Sequence, residues 1–126
     1  MVLDSSALVA ILMKADGHKD LLRKVLGAEI NVMGFPTLLE TTMVLSSKLG
    51  YDARPKVTDL LKELQCELIP FGERHFSAAI GAFLRYGRGR HPAALNFGDC
   101  MSYAVAEIAE MPLLFVGDDF SQTDLA

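Results

Sequence analysis

Cysteine is scarce in this chain. Cys66 and Cys100 are the only two among 126 residues, and they are not in CxxC spacing. That excludes a disulfide framework and a zinc pair, so both thiols are expected free in the core. Long apolar runs are missing too. No stretch reaches membrane-spanning length, and the start lacks the basic region and cleavage site of a signal peptide, which makes a cytoplasmic location the expectation. Repeats and low-complexity tracts are absent. Histidine is limited to His18, His75 and His91, which are scattered, so no Ser–His–Asp set offers itself as a nucleophilic device. Basic residues are outnumbered, with 12 Lys and Arg against 16 Asp and Glu for a net charge of −4. This argues against a general nucleic-acid coat protein but not against a nuclease whose acids hold cations.

What the chain does have is a hydrophobic fraction of 51% in a length suited to one domain, 1–126, with a proper core. Apolar segments too short for helices alternate with segments of helical period. Met1–Leu3, Ile30–Met33, Glu67–Phe71 and Leu113–Val116 read as strands, and Pro70 marks a strand end or sheet edge. Helices are expected after Asp4, over Lys19–Leu26, Thr37–Leu49, Asp52–Gln65 and Glu73–Tyr86, and from Asn96 or Phe97 to Pro112. Gly34-Phe-Pro36 and Tyr86–Pro92 read as a turn and a loop. The alternation predicts an α/β fold, a parallel sheet with helices on both faces.

Four acidic positions fall near strand ends or helix starts. Asp4 follows the first strand. Glu40 lies in the first turn after the second. Asp99 opens the helix before the last strand, and Asp118 and Asp119 follow that strand. Each has a structural use: Asp4 as a helix cap, Thr37 to Glu40 as a capping box, Asp99 as a favourable first-turn acid, Asp118-Asp119 as turn chemistry. In a parallel α/β fold, however, strand ends converge on the working site. Clustered carboxylates resist ionisation unless a cation neutralises them, and all-oxygen ligands suit Mg²⁺ or Mn²⁺. Ser102 lies one helical turn from Asp99, where it is either a supporting residue of the site or a plain helix residue. Arg85, Arg88, Arg90 and His91 form a basic, glycine-containing stretch that could grip phosphates; a solvated loop is the alternative.

Met-Val-Leu-Asp-Ser-Ser-Ala-Leu at the start, Leu-Leu-Glu-Thr around Glu40, Leu-Asn-Phe-Gly-Asp-Cys ending at Cys100, and Leu-Leu-Phe-Val-Gly-Asp-Asp-Phe-Ser-Gln-Thr-Asp near the end resemble, in order and spacing, the PIN-domain ribonucleases, and among them the VapC toxins of bacterial VapBC toxin–antitoxin systems. The resemblance implies a PIN-like three-layer fold with a short, mostly parallel central sheet flanked by helices. It implies a Mg²⁺- or Mn²⁺-dependent endoribonuclease whose metal site uses Asp4, Glu40 and Asp99. The family's Asp-Phe pair aligns with Asp119-Phe120, favouring Asp119 over Asp118 as the fourth acid, and Ser6 matches a small polar position that supports the site. The implied partners are an RNA substrate, a cognate VapB-type antitoxin and a second copy of the chain, giving a homodimer and a toxin–antitoxin hetero-oligomer. Many relatives continue beyond Thr123-Asp-Leu, so a closing edge strand is expected to be short or absent. Two other classes stay open. One is a haloacid-dehalogenase-like phosphatase with Asp4 as nucleophile, which would want an acid where Ser6 stands. The other is a non-catalytic interaction module of the same fold.

Overall fold

A computed structural model describes residues 1–125. Strand β1 (Val2–Leu3) leads through Asp4 into α1 (Ser5–Leu12), and α2 (His18–Gly27) follows. Strand β2 (Asn31–Gly34) feeds α3 (Phe35–Leu49), α4 (Arg54–Glu63) and β3 (Cys66–Ile69). Then come α5 (Glu73–Tyr86), α6 (Phe97–Ala109) and β4 (Leu113–Leu114). The strands form one sheet in the order β3-β2-β1-β4, and every pairing is parallel. Among the described residues no strand follows β4; residues 118–125 make bends and turns.

Side-chain alternation divides the core. Successive strand residues point to opposite faces, so Val2, Val32 and Leu113 enter one apolar cluster with Ala82, Tyr103 and Val105 of α5 and α6. Leu3, Met33 and Leu114 enter the other, with residues of α1 to α4 such as Leu8, Val25, Leu45 and Leu61. Helices therefore cover both faces, giving the expected three layers.

The sheet order determines where function can sit. The chain moves outward from β1 to β2 to β3, then crosses back to place β4 on the other side of β1. Between β1 and β4 the winding reverses, and the crevice beyond their carboxyl ends is the favoured ligand position of an open α/β sheet. Asp4 lies there, and the segment after β4 ends beside it.

Several boundaries differ from the sequence expectations for physical reasons. Gly34-Phe-Pro36 is no turn: β2 runs through Gly34 directly into α3, with Pro36 in the first helical turn, where its missing N–H costs nothing. Gly34 is required by packing, since a Cβ there would come within 2.9 Å of Val105 Cγ2. The earlier start removes the capping box expected between Thr37 and Glu40. The cap of α3 is Gly34, without a side-chain bond, and Glu40 moves into the second turn. Strands β3 and β4 are shorter than Glu67–Phe71 and Leu113–Val116. Pro70 immediately follows β3, an edge strand, as its lack of a ladder donor suggests.

Candidate active site

Asp4 is the N-cap of α1 and only 4% exposed. Its Oδ2 accepts from the Ser6 amide at 3.1 Å and from Ser6 Oγ at 2.6 Å, while Oδ1 accepts from Ser102 Oγ at 2.5 Å. The Ser6 hydroxyl in turn accepts from the Val116 amide at 2.9 Å, which joins the end of β1 to the segment leaving β4. Ser102 is buried in α6 and stands 3.3 Å from the Thr37 hydroxyl of α3. The single Ser102 proton is committed to Asp4, so Thr37 is the donor to Ser102. Both serines singled out in the sequence thus hold Asp4; Thr37 was read there only as a cap.

Asp99 occupies the third position of α6 and completes a capping box with Asn96. Its amide donates to Asn96 Oδ1 at 2.9 Å, and its Oδ2 accepts from the Asn96 amide at 3.0 Å. The structural use is therefore real, but it does not account for the electrostatics. Asp99 is 7% exposed, and burial pushes its carboxyl from the usual range up to about 7 against the Asn96 bond, with the charges of Asp119, Asp4 and Glu40 adding to the rise. Glu40, half-buried, is also raised, first by burial and then by Asp4, with the Ser5 hydroxyl opposing. Its carboxylate lies against the backbone of Gly98, where a Cβ would come within 2.7 Å of Glu40 Cδ. Gly98, which the sequence reading passed over, leaves the room that Glu40 uses.

Asp118 and Asp119 are both exposed on the turn after β4. Asp119 is the one whose charge acts on Asp99. The next residue, Phe120, is 1% exposed and packs on Phe115 with ring centroids 5.2 Å apart, anchoring the turn. Four acids from four regions of the chain are thus gathered near the switch point. As the side chains stand, no three acid, imidazole or thiol groups among the described residues converge tightly enough to grip an ion. Asp4 is turned to its serines and Asp99 to Asn96. The donor set nevertheless fits a hard divalent cation: the groups are all carboxylates, and Asp99, raised first by burial, also feels the charges of Asp119, Asp4 and Glu40.

The basic stretch divides. Arg85 is engaged elsewhere: its guanidinium donates to Tyr86 Oη at 2.7 Å and to Tyr103 Oη at 3.3 Å and lies 3.7 Å from Asp124, to which Tyr103 also donates. His91 is a loop residue whose Nδ1 accepts from the Ala93 amide at 3.0 Å and whose ring meets Tyr86 edge-on. Arg88 and Arg90 are exposed, and the Arg88 amide donates to Leu95 O at 3.1 Å, tying the loop to the residue before Asn96.

A second feature adjoins the acids. A groove of about 960 Å³ has apolar walls supplied by Phe35, Leu39, Met43, Phe71 and Met101, and Glu40 and Gly98 also line it. Leu39 is 62% exposed there. Both cysteines are free, and burial pushes each thiol up to about 11. No helix of the described residues is long and apolar enough to cross a membrane.

Comparison with known proteins agrees with the order of the motifs. The model of the PIN domain family matches residues 1–125. Ribonuclease VapC36 of Mycobacterium tuberculosis is 46% identical over 126 residues, covering 99% of this chain and 91% of the relative. Among solved structures, M. tuberculosis VapC20, described as a sarcin-ricin loop cleaving toxin, superposes with a TM-score of 0.75 at 16% identity over 95% of this chain and 92% of its own. A toxin–antitoxin complex from Klebsiella pneumoniae gives 0.72 at 17% identity over 98% and 92%. The structural likeness bears on the fold, and the family match and the 46% identity bear on kinship. Kinship sets aside the phosphatase alternative, and by it this chain belongs to the PIN domain family and, within that family, to the VapC ribonucleases.

Proposed function

We propose that Asp4, Glu40, Asp99 and Asp119 form the centre at which this chain, as the cytoplasmic toxin of a type II toxin–antitoxin pair, hydrolyses RNA endonucleolytically with Mg²⁺ or Mn²⁺. The observation that carries the reading is Asp99. It is a buried carboxyl raised to about 7 with three further acids acting on it, and such a cluster at a switch point lacks a positive charge at neutral pH. The chemistry that a divalent cation supplies when bound there is charge stabilisation at the scissile phosphate and a more acidic water. The chain's own residues do the placing. Ser6 and Ser102 fix both oxygens of Asp4, Asn96 fixes Asp99, and Glu40 and Asp119, the less buried pair, have the freedom to close. Arg88 and Arg90 offer the approaching phosphates the positive charge that the acids lack.

The apolar groove suits an antitoxin segment, because it is exposed, hydrophobic and open toward Glu40; a segment seated in it would cover that acid. Phe76, Ile80 and Leu84 stand exposed at helical spacing along α5 and suit a second copy of the chain. The Klebsiella relative in fold was solved as a toxin–antitoxin complex.

Sequencing of RNA ends after expression of the wild type and of Asp4→Asn tests the proposal. New 5′ ends are expected with the wild type alone. Identical ends with both, or wild-type cleavage by purified Asp4→Asn or Asp99→Asn in the presence of Mg²⁺, would refute the assignment.

A further inference from the structure

Beside the acids lies a second hollow of about 340 Å³, lined by Phe83, Arg88, Leu95, Asn96 and Phe97. It lies at the lower end of the size of small-ligand sites, and its lining combines two aromatic rings with an arginine and an asparagine. Phe97 is 83% exposed, the most exposed of the large apolar side chains, and Phe83 is 40% exposed. An aromatic ring left so open at the first position of α6 contributes nothing to the core. The surroundings are built to hold these rings. The Arg90 guanidinium lies over the Phe83 ring at 5.3 Å. Gly87 leaves space for Phe83, since a Cβ there would come within 2.5 Å of its ring. A parallel bridge from Gly87 to Leu95 ties the loop to the start of α6. Asn96 uses its Oδ1 on the Asp99 amide, and its side-chain Nδ2 has no partner among the described residues.

We propose that this hollow receives an unpaired nucleobase of single-stranded RNA next to the scissile phosphate. The base stacks on Phe97 and Phe83, Asn96 Nδ2 donates to its edge, and Arg88 meets the adjoining phosphate. The proposal rests on the ribonuclease reading and deepens it. The chemistry favours this occupant over an apolar peptide. Aromatic rings offer a face to any base, arginines flank them, and a polar donor sits in the wall; recognition of single-stranded RNA combines these elements. Position agrees: Phe97 and Gly98 separate Asn96 from Asp99, so a base held here brings its phosphate toward the acids. Phe97 also lines the larger apolar groove, so a segment seated there would compete for the same ring.

The test uses full-length Asp99→Asn, which binds without cutting, and two single-stranded oligoribonucleotides. One carries 2-aminopurine next to the cleaved bond, and the other an abasic residue at that position. Three outcomes are expected. The 2-aminopurine fluorescence is quenched on binding, the abasic oligomer binds about tenfold more weakly, and adding Phe97→Ala removes both the quenching and the preference. In the cleaving protein Phe97→Ala raises KM and leaves kcat within about twofold. Equal binding of the two oligomers by Asp99→Asn, with the wild type cleaving RNA, would overturn this proposal alone. A wild type that neither binds nor cuts any RNA would overturn the ribonuclease reading with it. Phe97→Ala that changes the sedimenting species while preserving the base preference would make the ring a face between copies and also refute the proposal.

Discussion

Ser102 donates a 2.5 Å hydrogen bond to Oδ1 of Asp4 across 98 positions of sequence. Both residues are buried, and the Thr37 hydroxyl backs the donor at 3.3 Å. The bond ties three helices together at the switch point, because Asp4 caps α1, Ser102 lies on α6 and Thr37 on α3. It also fixes the direction in which the first acid presents its remaining lone pairs. Ser102→Ala leaves a buried carboxylate oxygen short of a donor, a loss of about 1.5–3 kcal/mol for a bond to a charged group. It should lower kcat by about tenfold or more through misplacement while changing the KM for RNA little. Denaturant titration and single-turnover cleavage measure the two effects; an unchanged cleavage rate would show that Asp4 needs no such support.

Gly98→Ala separates site from fold. The added methyl would come within 2.7 Å of Glu40 Cδ, and the carboxylate can swing away into the groove at small cost. Ala is also the better helix former, by about 1 kcal/mol. The variant should therefore melt near the wild-type temperature or above it, yet cleave RNA as poorly as Glu40→Gln. Wild-type cleavage by a stable Gly98→Ala protein would mean that the observed placement of Glu40 is not the working one.

What the sequence disclosed, and what it concealed, follow from the range of each interaction. Strand and helix identities were legible because alternation and helical period are local. The helix start at Asn96, with Asp99 as its first-turn acid, was legible for the same reason, though the full capping box was not read. The capping box at Thr37 and Glu40 was misread: the pattern matched, but Pro36 is tolerated in a first helical turn, so α3 starts at Phe35 and Glu40 falls in its second turn. Arg85 read as one of a basic trio, and its engagement with Tyr86, Tyr103 and Asp124 depends on a tail far away in sequence. Gly98 drew no notice within Asn-Phe-Gly-Asp and Phe97 only as a helix start, since nothing local reveals that a glutamate lies against one and that the other is bare.

Arg88 and Arg90 lead to a salt-dependence prediction. If each neutralises one phosphate of a single strand, replacing both by Ala should reduce the slope of log affinity against log salt by about 1.4. Metal binding should be unaltered, because neither residue is among the acids. Arg90 also sits over Phe83, so the single Arg90 variant should lose some base stacking as well as charge. Equal slopes for wild type and double variant on the same RNA would make the loop a solvated connector and place the grip elsewhere.

The raised carboxyl of Asp99 links stability to pH. Its folded value is about 7 against an ordinary 3.8, chiefly through burial. Between those values the folded protein binds more protons than the unfolded chain, and stability must fall as pH rises. In chelator, then, the contribution of Asp99 should be full below about pH 4, fall steadily between pH 4 and pH 7, and level off above about pH 7. A loss on the order of 2–4 kcal/mol is expected from a shift of this size. Glu40, also raised, adds to the fall with the same sign. Asp99→Asn removes the larger contribution, so its stability should vary less with pH and exceed that of the metal-free wild type at pH 8. Mg²⁺ should act in the opposite sense, stabilising the wild type progressively more as pH rises over the same window, because a cation competes with protons for the carboxylates. Urea titrations of both proteins at pH 5 and pH 8, with chelator and with Mg²⁺, measure all of this. A metal-free wild type more stable at pH 8 than at pH 5 would contradict the buried, charge-crowded environment assigned to Asp99.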